Sequence, residues 1–143
     1  RPAYAEIACD HAPTTRRPKR LKAILMASTS GLPMSAGKPA AVDLDLHNAG
    51  DTRWLSTPSQ PGWTRLGAHL YRGDASRTLV DFDWLRVELP REVAPNETVR
   101  VRATLPEITE PGDYLVTFDL VIEGKAWFSD RDSVSVDLPI RVR

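Results

Sequence analysis

The chain has 143 residues, which suits one domain with a core of its own, and its 19 basic and 19 acidic side chains cancel to a formal charge of zero. This balance argues against nucleic acid or an anionic membrane surface as the partner. The single cysteine, Cys9, excludes an intramolecular disulfide and a multi-cysteine zinc site, and the absence of a run of about 18 apolar residues predicts no membrane span.

Residues 1–20 are rich in proline and arginine and contain the basic cluster 16–20. This composition predicts a linker or N-terminal extension with solvated charges, to which residues 4–8 add at most a short edge strand. Because the chain begins with Arg1 instead of Met, we expect it to be a module of a larger protein. The folded domain is predicted to occupy residues 21–143.

The first half of this domain predicts three strands separated by long loops. Residues 21–27 form an apolar run before a turn cluster, and Pro33 indicates that a loop follows. Residues 40–47 alternate between apolar and polar side chains, the period-two pattern of a strand with one buried face. Residues 52–63 have no periodicity and predict a loop, after which residues 66–71 alternate again.

The second half predicts the strands that we expect to organise the fold. Residues 79–89 change their apolar register near Leu85, which predicts a bend in that strand. Residues 99–105 and 114–122 alternate most clearly, and we expect these two strands to form the middle of the structure. The last strand, residues 134–142, contains Pro139, which favours an edge position.

No helix of ten or more residues is predicted anywhere in the chain. Short alternating strands separated by Gly, Pro and Asn turns are typical of all-β folds. We therefore predict an immunoglobulin-like antiparallel β-sandwich of seven to eight strands.

Four stretches together carry a resemblance to a known group of domains: residues 48–54, 66–70, 89–95, and 111–114 running through to 123–128. They resemble bacterial immunoglobulin-like β-sandwich accessory domains of glycan-processing and cell-surface proteins. A looser likeness is to the carbohydrate-binding domain of O-antigen exporters. The resemblance implies a β-sandwich that faces a polysaccharide, and Tyr114 resembles the structural tyrosine corner of such sandwiches.

Catalytic motifs are missing from the sequence. Only His11, His47 and His69 could act as a histidine base, and no HExxH spacing, nucleophile elbow or phosphate-binding glycine loop accompanies them. We therefore expect a domain that is not an enzyme and needs no cofactor, although its parent protein could be one.

Acidic residues occur as three Asp-x-Asp pairs, a pattern that could supply oxygen ligands to a hard cation. Outward-facing aspartates also keep sheets soluble and block pairing at their edges, and we favour this interpretation. Only the loop that holds Asp130 and Asp132 is retained as a weak candidate metal site.

Four tryptophans give the most specific indication of function. An indole offers a rigid apolar plane and one donor, which suits the C–H faces of sugar rings when carboxylates and amides lie nearby. The candidate ligand-binding residues are Trp54, Trp63, His69, Tyr71, Asp83, Trp84, Glu123 and Trp127. The alternative for each tryptophan is a place in the core.

Two hypotheses about function follow from these observations. The first is a non-catalytic accessory module that binds or positions a bacterial polysaccharide for a fused or partner enzyme. The second is a structural domain that docks on its parent protein or self-associates through an apolar face or an edge strand. Under the first hypothesis we expect the protein at the bacterial cell envelope or at the cytoplasmic face of surface-polysaccharide machinery.

Overall fold

The computed structural model describes residues 12–143, and predictions for residues 4–8, Cys9 and His11 lie outside this range. The strands are β1 (Ala23–Ala27), β2 (Leu32–Met34), β3 (Ala40–Asn48), β4 (Thr64–Arg72), β5 (Leu79–Glu88), β6 (Thr98–Leu105), β7 (Gly112–Ile122), β8 (Ala126–Trp127) and β9 (Val136–Val142). A 3₁₀ helix, Phe128–Arg131, lies between β8 and β9. Seven strands have five or more residues, while β2 and β8 are much shorter.

The strands form two sheets that pack face to face, so the predicted all-β sandwich is confirmed. The smaller sheet has the order β1-β3-β6, and the larger has the order β2-β9-β7-β4-β5, with β8 paired to β7. All pairs are antiparallel except β2 with β9, which is parallel. Residues 32–34 were predicted to lie in a loop because of Pro33, but they form β2 because the end of β9 offers them a partner strand.

The hydrophobic core lies between the two sheets and is filled by the alternating positions of the long strands. Val101 and Leu105 of β6 in the smaller sheet and Val116 and Phe118 of β7 in the larger sheet are all buried in this core. β7 is central in the larger sheet, as predicted, but β6 is an edge strand of the smaller sheet. The prediction for β6 was wrong because alternation reports which face is buried and carries no information about lateral neighbours.

Two irregularities shape the larger sheet. Leu85 pairs with Ala68 and Asp81 pairs with Leu70, so four residues of β5 span the length of two residues of β4. This bulge confirms the bend predicted in β5. β9 as a whole is not the edge strand predicted from Pro139, but β2 reaches only residues 140–142, so Pro139 itself has a partner strand on one side alone.

The predicted structural role of Tyr114 is confirmed. Its ring is buried and its hydroxyl donates a 2.7 Å hydrogen bond to the carbonyl of Glu110, four residues earlier in the chain. The guanidinium of Arg72 donates to the same hydroxyl oxygen. This arrangement fixes the loop that leads into β7, as in the tyrosine corner of other sandwiches.

Residues 13–20 lie against the loop that precedes β4. Thr15 is fully buried, and its hydroxyl donates to the carbonyl of Gly62 and accepts from the amide of Leu55. The amide of Lys19 donates to the hydroxyl of Thr52. The domain boundary at residue 21 remains a prediction, and these contacts make the preceding segment a support for the 52–63 loop.

Asn48 is a buried polar residue that holds the turn after β3. Its side-chain Nδ2 donates to the carbonyls of Thr52 and Val93, and its Oδ1 accepts from the amide of Gly50. One amide side chain thus supplies the hydrogen-bond partners for backbone groups of two separate loops. This stabilises the fold, because a buried polar group without a partner lowers stability.

We expect Asn48→Ala to lower the free energy of unfolding by about 1 to 2 kcal/mol, since it leaves the amide of Gly50 without its acceptor. Urea denaturation followed by circular dichroism measures this loss. The matched control is Thr98→Ala, which removes an exposed hydrogen bond to His47 and should change stability by less than about 0.5 kcal/mol. Equal losses for both variants would contradict the role given to Asn48.

Candidate functional site

The candidate site lies on the outer face of the larger sheet, centred on β4. Leu66, Ala68 and Leu70 are buried in the core, so the alternating side chains of β4 face away from it. From one end to the other, this outer row consists of Trp63, which directly precedes the strand, Arg65, Gly67, His69 and Tyr71. The row therefore carries three rings and one guanidinium on a rigid strand.

Trp127 covers the gap that Gly67 leaves in this row. It lies on β8, which pairs with β7 and so reaches over the neighbouring strand β4. A Cβ atom at Gly67 would lie 2.6 Å from both Cη2 and Cζ3 of the indole, closer than carbon atoms approach one another. Glycine is therefore required for the ring to lie against the strand.

His69 is at the centre of the aromatic cluster that results, which comprises His69, Tyr71, Phe82 and Trp127. The imidazole stacks on Phe82 with ring centroids 4.1 Å apart and contacts Trp127 at 4.4 Å and Tyr71 at 6.5 Å. Its Nδ1 donates to the carbonyl of Phe82, which fixes the orientation of the ring. Phe82 itself is 46% exposed, so the cluster presents an open aromatic surface.

Ion pairs flank the cluster on the side of Trp63 and β5. Arg65 bridges Glu88 and Glu123 and places its guanidinium 4.0 Å from the ring centroid of Trp63. Arg86 bridges Asp83 and Glu123 and lies 4.8 Å from the ring centroid of Trp127.

Each arginine in this network thus stacks on an indole while carboxylates neutralise its charge. The indole Nε1 of Trp63 also donates to Glu88. Together these contacts hold both tryptophan rings in place at the surface.

A cavity of ≈ 240 Å³ opens beside the cluster, between β4, β7 and the 3₁₀ helix. The four rings line it together with the carboxylates of Asp119 and Asp130 and three hydroxyl side chains, Thr117, Ser129 and Ser135. This is smaller than the roughly 300 to 1,000 Å³ of a drug-sized site, so it has room for one ring or one small group.

Asp119 forms one wall of this cavity and joins β7 to the 3₁₀ helix. The side chain of Asp119 is buried. Its Oδ1 accepts a hydrogen bond from the backbone amide of Leu120, and its Oδ2 accepts one from the backbone amide of Ser129. Burial raises the pKa of this carboxyl above its ordinary value, because removal from water disfavours the charged form and the hydrogen bonds from Ser129 offset this only in part.

A raised pKa means that the folded state binds the Asp119 proton more tightly than the unfolded chain does. We therefore expect the unfolding free energy of the wild type, relative to Asp119→Asn, to fall as the pH rises from about 3.9 through the raised pKa. The fall should amount to about 1.4 kcal/mol for each pH unit that separates the folded from the unfolded pKa. Urea titrations at a series of pH values measure this difference.

Asp74→Asn is the control, because hydrogen bonds from Ser76 lower the pKa of the exposed Asp74 carboxyl. For this residue, the unfolding free energy of the wild type relative to Asp74→Asn should fall as the pH is lowered. A pH-independent difference for Asp119→Asn would contradict the effect assigned to burial.

The structure brings six of the eight sequence-predicted residues together on this face. They are Trp63, His69, Tyr71, Asp83, Glu123 and Trp127. Trp54 is fully buried and packs edge-on against Phe128 in the core, so its assignment as a ligand contact is corrected. Trp84 is half-buried and packs against the core beside the β5 bulge.

Sequence reasoning missed Phe82, Asp119, Arg65 and Arg86. Phe82 was assigned to an apolar alternation in β5, and the bulge instead places its ring against His69 on the outer face. Asp119 occupies a polar position in an alternating strand, which usually indicates a solvated side chain. The available indication was the position of Asp119 within the otherwise apolar run 118–122. A carboxylate that is buried in such a run needs hydrogen-bond donors around it.

Among the described residues, no third ligand accompanies the weak metal candidates Asp130 and Asp132. Within residues 12–143, no group of three or more His, Cys, Asp or Glu side chains is arranged to hold a metal ion. Asp43 and Asp45 pair with Arg102 and Arg100 across β3 and β6.

The part of the chain that the structure describes contains no helix that is both long and apolar enough to cross a membrane.

Comparison by sequence finds no matching family model and no matching curated protein. Solved structures match the fold. A CARDB domain from Pyrococcus furiosus, in complex with di-metal ions, superposes with a TM-score of 0.52 at 13% identity, covering 87% of this chain and 90% of that one.

A beta-glucosidase from Listeria innocua, in complex with glucose, superposes with a TM-score of 0.52 at 12% identity. The match covers 90% of this chain but only 17% of the enzyme, so this fold accounts for a small part of a longer chain there. At these identities the likeness shows the fold alone. The chain is thus similar in fold to a CARDB domain and to a domain-sized part of a beta-glucosidase.

Proposed function

We propose that this domain is a non-catalytic accessory module that binds a bacterial polysaccharide on the outer face of its larger sheet. The observation that carries the proposal is the row of rings from Trp63 to Tyr71, completed by Trp127 and Phe82. The beta-glucosidase in which a similar fold forms a minor part agrees with an accessory role beside a catalytic domain.

The chemistry of this face suits a sugar chain. Aromatic planes pack against the C–H faces of sugar rings, while carboxylates and guanidinium groups exchange hydrogen bonds with their hydroxyls. Arg65, Arg86 and their carboxylate partners lie between the two tryptophans, so each plane has polar groups beside it. The groups are held before binding, which reduces the entropy lost when a ligand is ordered.

Titration with a panel of bacterial surface polysaccharides, followed by tryptophan fluorescence and calorimetry, tests the proposal. We expect saturable binding that is weakened about fivefold by Phe82→Ala, since an exposed aromatic contact contributes on the order of 1 kcal/mol. Met26→Ala is the matched control, because Met26 is also exposed and apolar but lies on β1 of the other sheet. No binding across the panel, or equal losses in the two variants, would overturn the proposal.

A second candidate function is self-association through β5. This edge strand of the larger sheet exposes Leu79, Val80 and Phe82, which are 46 to 48% accessible. Exposed apolar edges are sites of strand pairing. If β5 pairs with a second copy, sedimentation over a hundredfold concentration range should show a dimer that Val80→Asp dissociates, and a strict monomer would exclude it.

A further inference from the structure

The cavity beside His69 has a charge that the remainder of the face lacks. Two carboxylates, Asp119 and Asp130, line it, and no lysine or arginine does so. On the neighbouring part of this face, Glu88 and Glu123 pair with Arg65, and Asp83 pairs with Arg86. Within residues 12–143, neither Asp119 nor Asp130 forms an ion pair with a lysine or an arginine.

Aromatic rings surround the same space. Phe82, Trp127, Tyr71 and the imidazole of His69 all line the cavity, and their ring faces carry the negative part of the aromatic quadrupole. Rings grouped with carboxylates in this way attract an organic cation, as in the aromatic cages that bind substituted ammonium groups. A neutral sugar would use the rings but would gain nothing from the two carboxylates' charge.

The second ring nitrogen of His69 is available to a ligand in the cavity. The side chain is 7% exposed, and Nδ1 must carry the hydrogen because the carbonyl of Phe82 can only accept. In the neutral imidazole, Nε2 is then an acceptor, and it has no hydrogen-bond partner within residues 12–143. His69 lines the cavity, so an N–H group of a ligand bound there can donate to Nε2.

We propose that this cavity binds the ammonium group of an amino sugar that lacks its N-acetyl group, so that the polysaccharide recognised by the domain contains free amines. The ammonium donates to the carboxylate of Asp119 and to Nε2 of His69, while the sugar ring rests on Trp127 or Phe82. This inference rests on the proposed function, because it specifies the glycan that the aromatic face takes. An acetylated nitrogen would lose the charge and place a bulkier group in a small cavity.

Calorimetry with three hexasaccharides of the same linkage tests the inference: β-1,4-linked glucosamine, N-acetylglucosamine and glucose. We expect glucosamine hexamer to bind at least about tenfold more tightly than the other two, a difference of about 1.4 kcal/mol that a desolvated cation–aromatic contact can supply. The preference should fall by a similar factor in Asp119→Asn. Asp130→Asn, at an exposed position where folding is not at risk, should weaken it in the same direction.

Asp45→Asn is the control for unspecific attraction of a polycation, because it removes the same charge from the opposite sheet. Equal losses in Asp45→Asn and Asp130→Asn would overturn the inference. Equal affinity for the three hexamers would also overturn it while leaving the proposed function intact. If none of the three binds, the inference is wrong, and the polysaccharide panel decides separately on the proposed function.

Discussion

Replacing Trp54 by alanine should cost about 3 to 5 kcal/mol of unfolding free energy, the largest effect expected of any single change in this domain. The indole is fully buried and packs edge-on against Phe128 with ring centroids 5.7 Å apart. Its removal leaves a cavity that the two sheets cannot fill by collapsing. Urea denaturation at constant pH measures the loss.

Trp54→Phe refines this prediction. The Nε1 of Trp54 has no hydrogen-bond partner among the described residues, so phenylalanine removes a buried donor that gains nothing from the fold. We expect it to cost clearly less than alanine does. Trp63→Ala is the matched control, because Trp63 is only half-buried at the surface and should cost about 1 kcal/mol or less while weakening glycan binding.

The two tryptophans therefore separate stability from recognition. Trp54→Phe should leave any glycan affinity unchanged, whereas Trp63→Ala should reduce it with little loss of stability. A loss of affinity in Trp54→Phe without unfolding would show that the core assignment is incomplete.

The second large effect is expected at Gly67. In Gly67→Val, the valine suits the extended backbone of β4. The loss of stability therefore comes from the collision of the valine side chain with the indole of Trp127. Two carbon atoms of this indole would lie 2.6 Å from the new Cβ. We expect a loss of about 2 to 3 kcal/mol, typical of overpacking against a held group. Displacing the ring also breaks its contact with His69, so glycan binding should be lost.

Near-ultraviolet circular dichroism and denaturation measure these two consequences together. Gly31→Ala is the control substitution, because a Cβ there meets only the carbonyl of Pro139 at 3.8 Å, an ordinary contact. It should be neutral or stabilising by a few tenths of a kcal/mol, since alanine restricts the unfolded chain. Wild-type stability and an unchanged near-ultraviolet spectrum in Gly67→Val would show that Trp127 does not lie against β4.

The candidate site could be predicted in part because the relevant residue types stand out in the sequence. His69 and Tyr71 alternate along a predicted strand, so their shared face followed from the period of two. The tryptophans were recognisable as possible platforms, but the core position of Trp54 and the surface position of Trp63 depend on contacts with distant segments. Phe82 reaches the face only through the β5 bulge, whose size is set by pairing with β4.

The all-β class and most of the strand positions could be predicted from the sequence, because alternation and turn residues are local properties of the chain. The role of Tyr114 followed from its resemblance to the tyrosine corner of other sandwiches. The lateral order of the strands, the edge position of β6 and the cavity shared by Trp127, His69 and Asp119 became visible only in the folded structure. Those features arise from pairing between strands that are far apart in the chain. The hydrogen bonds that join the strands come from backbone groups, which are the same in nearly every residue, so the sequence does not reveal which strands pair.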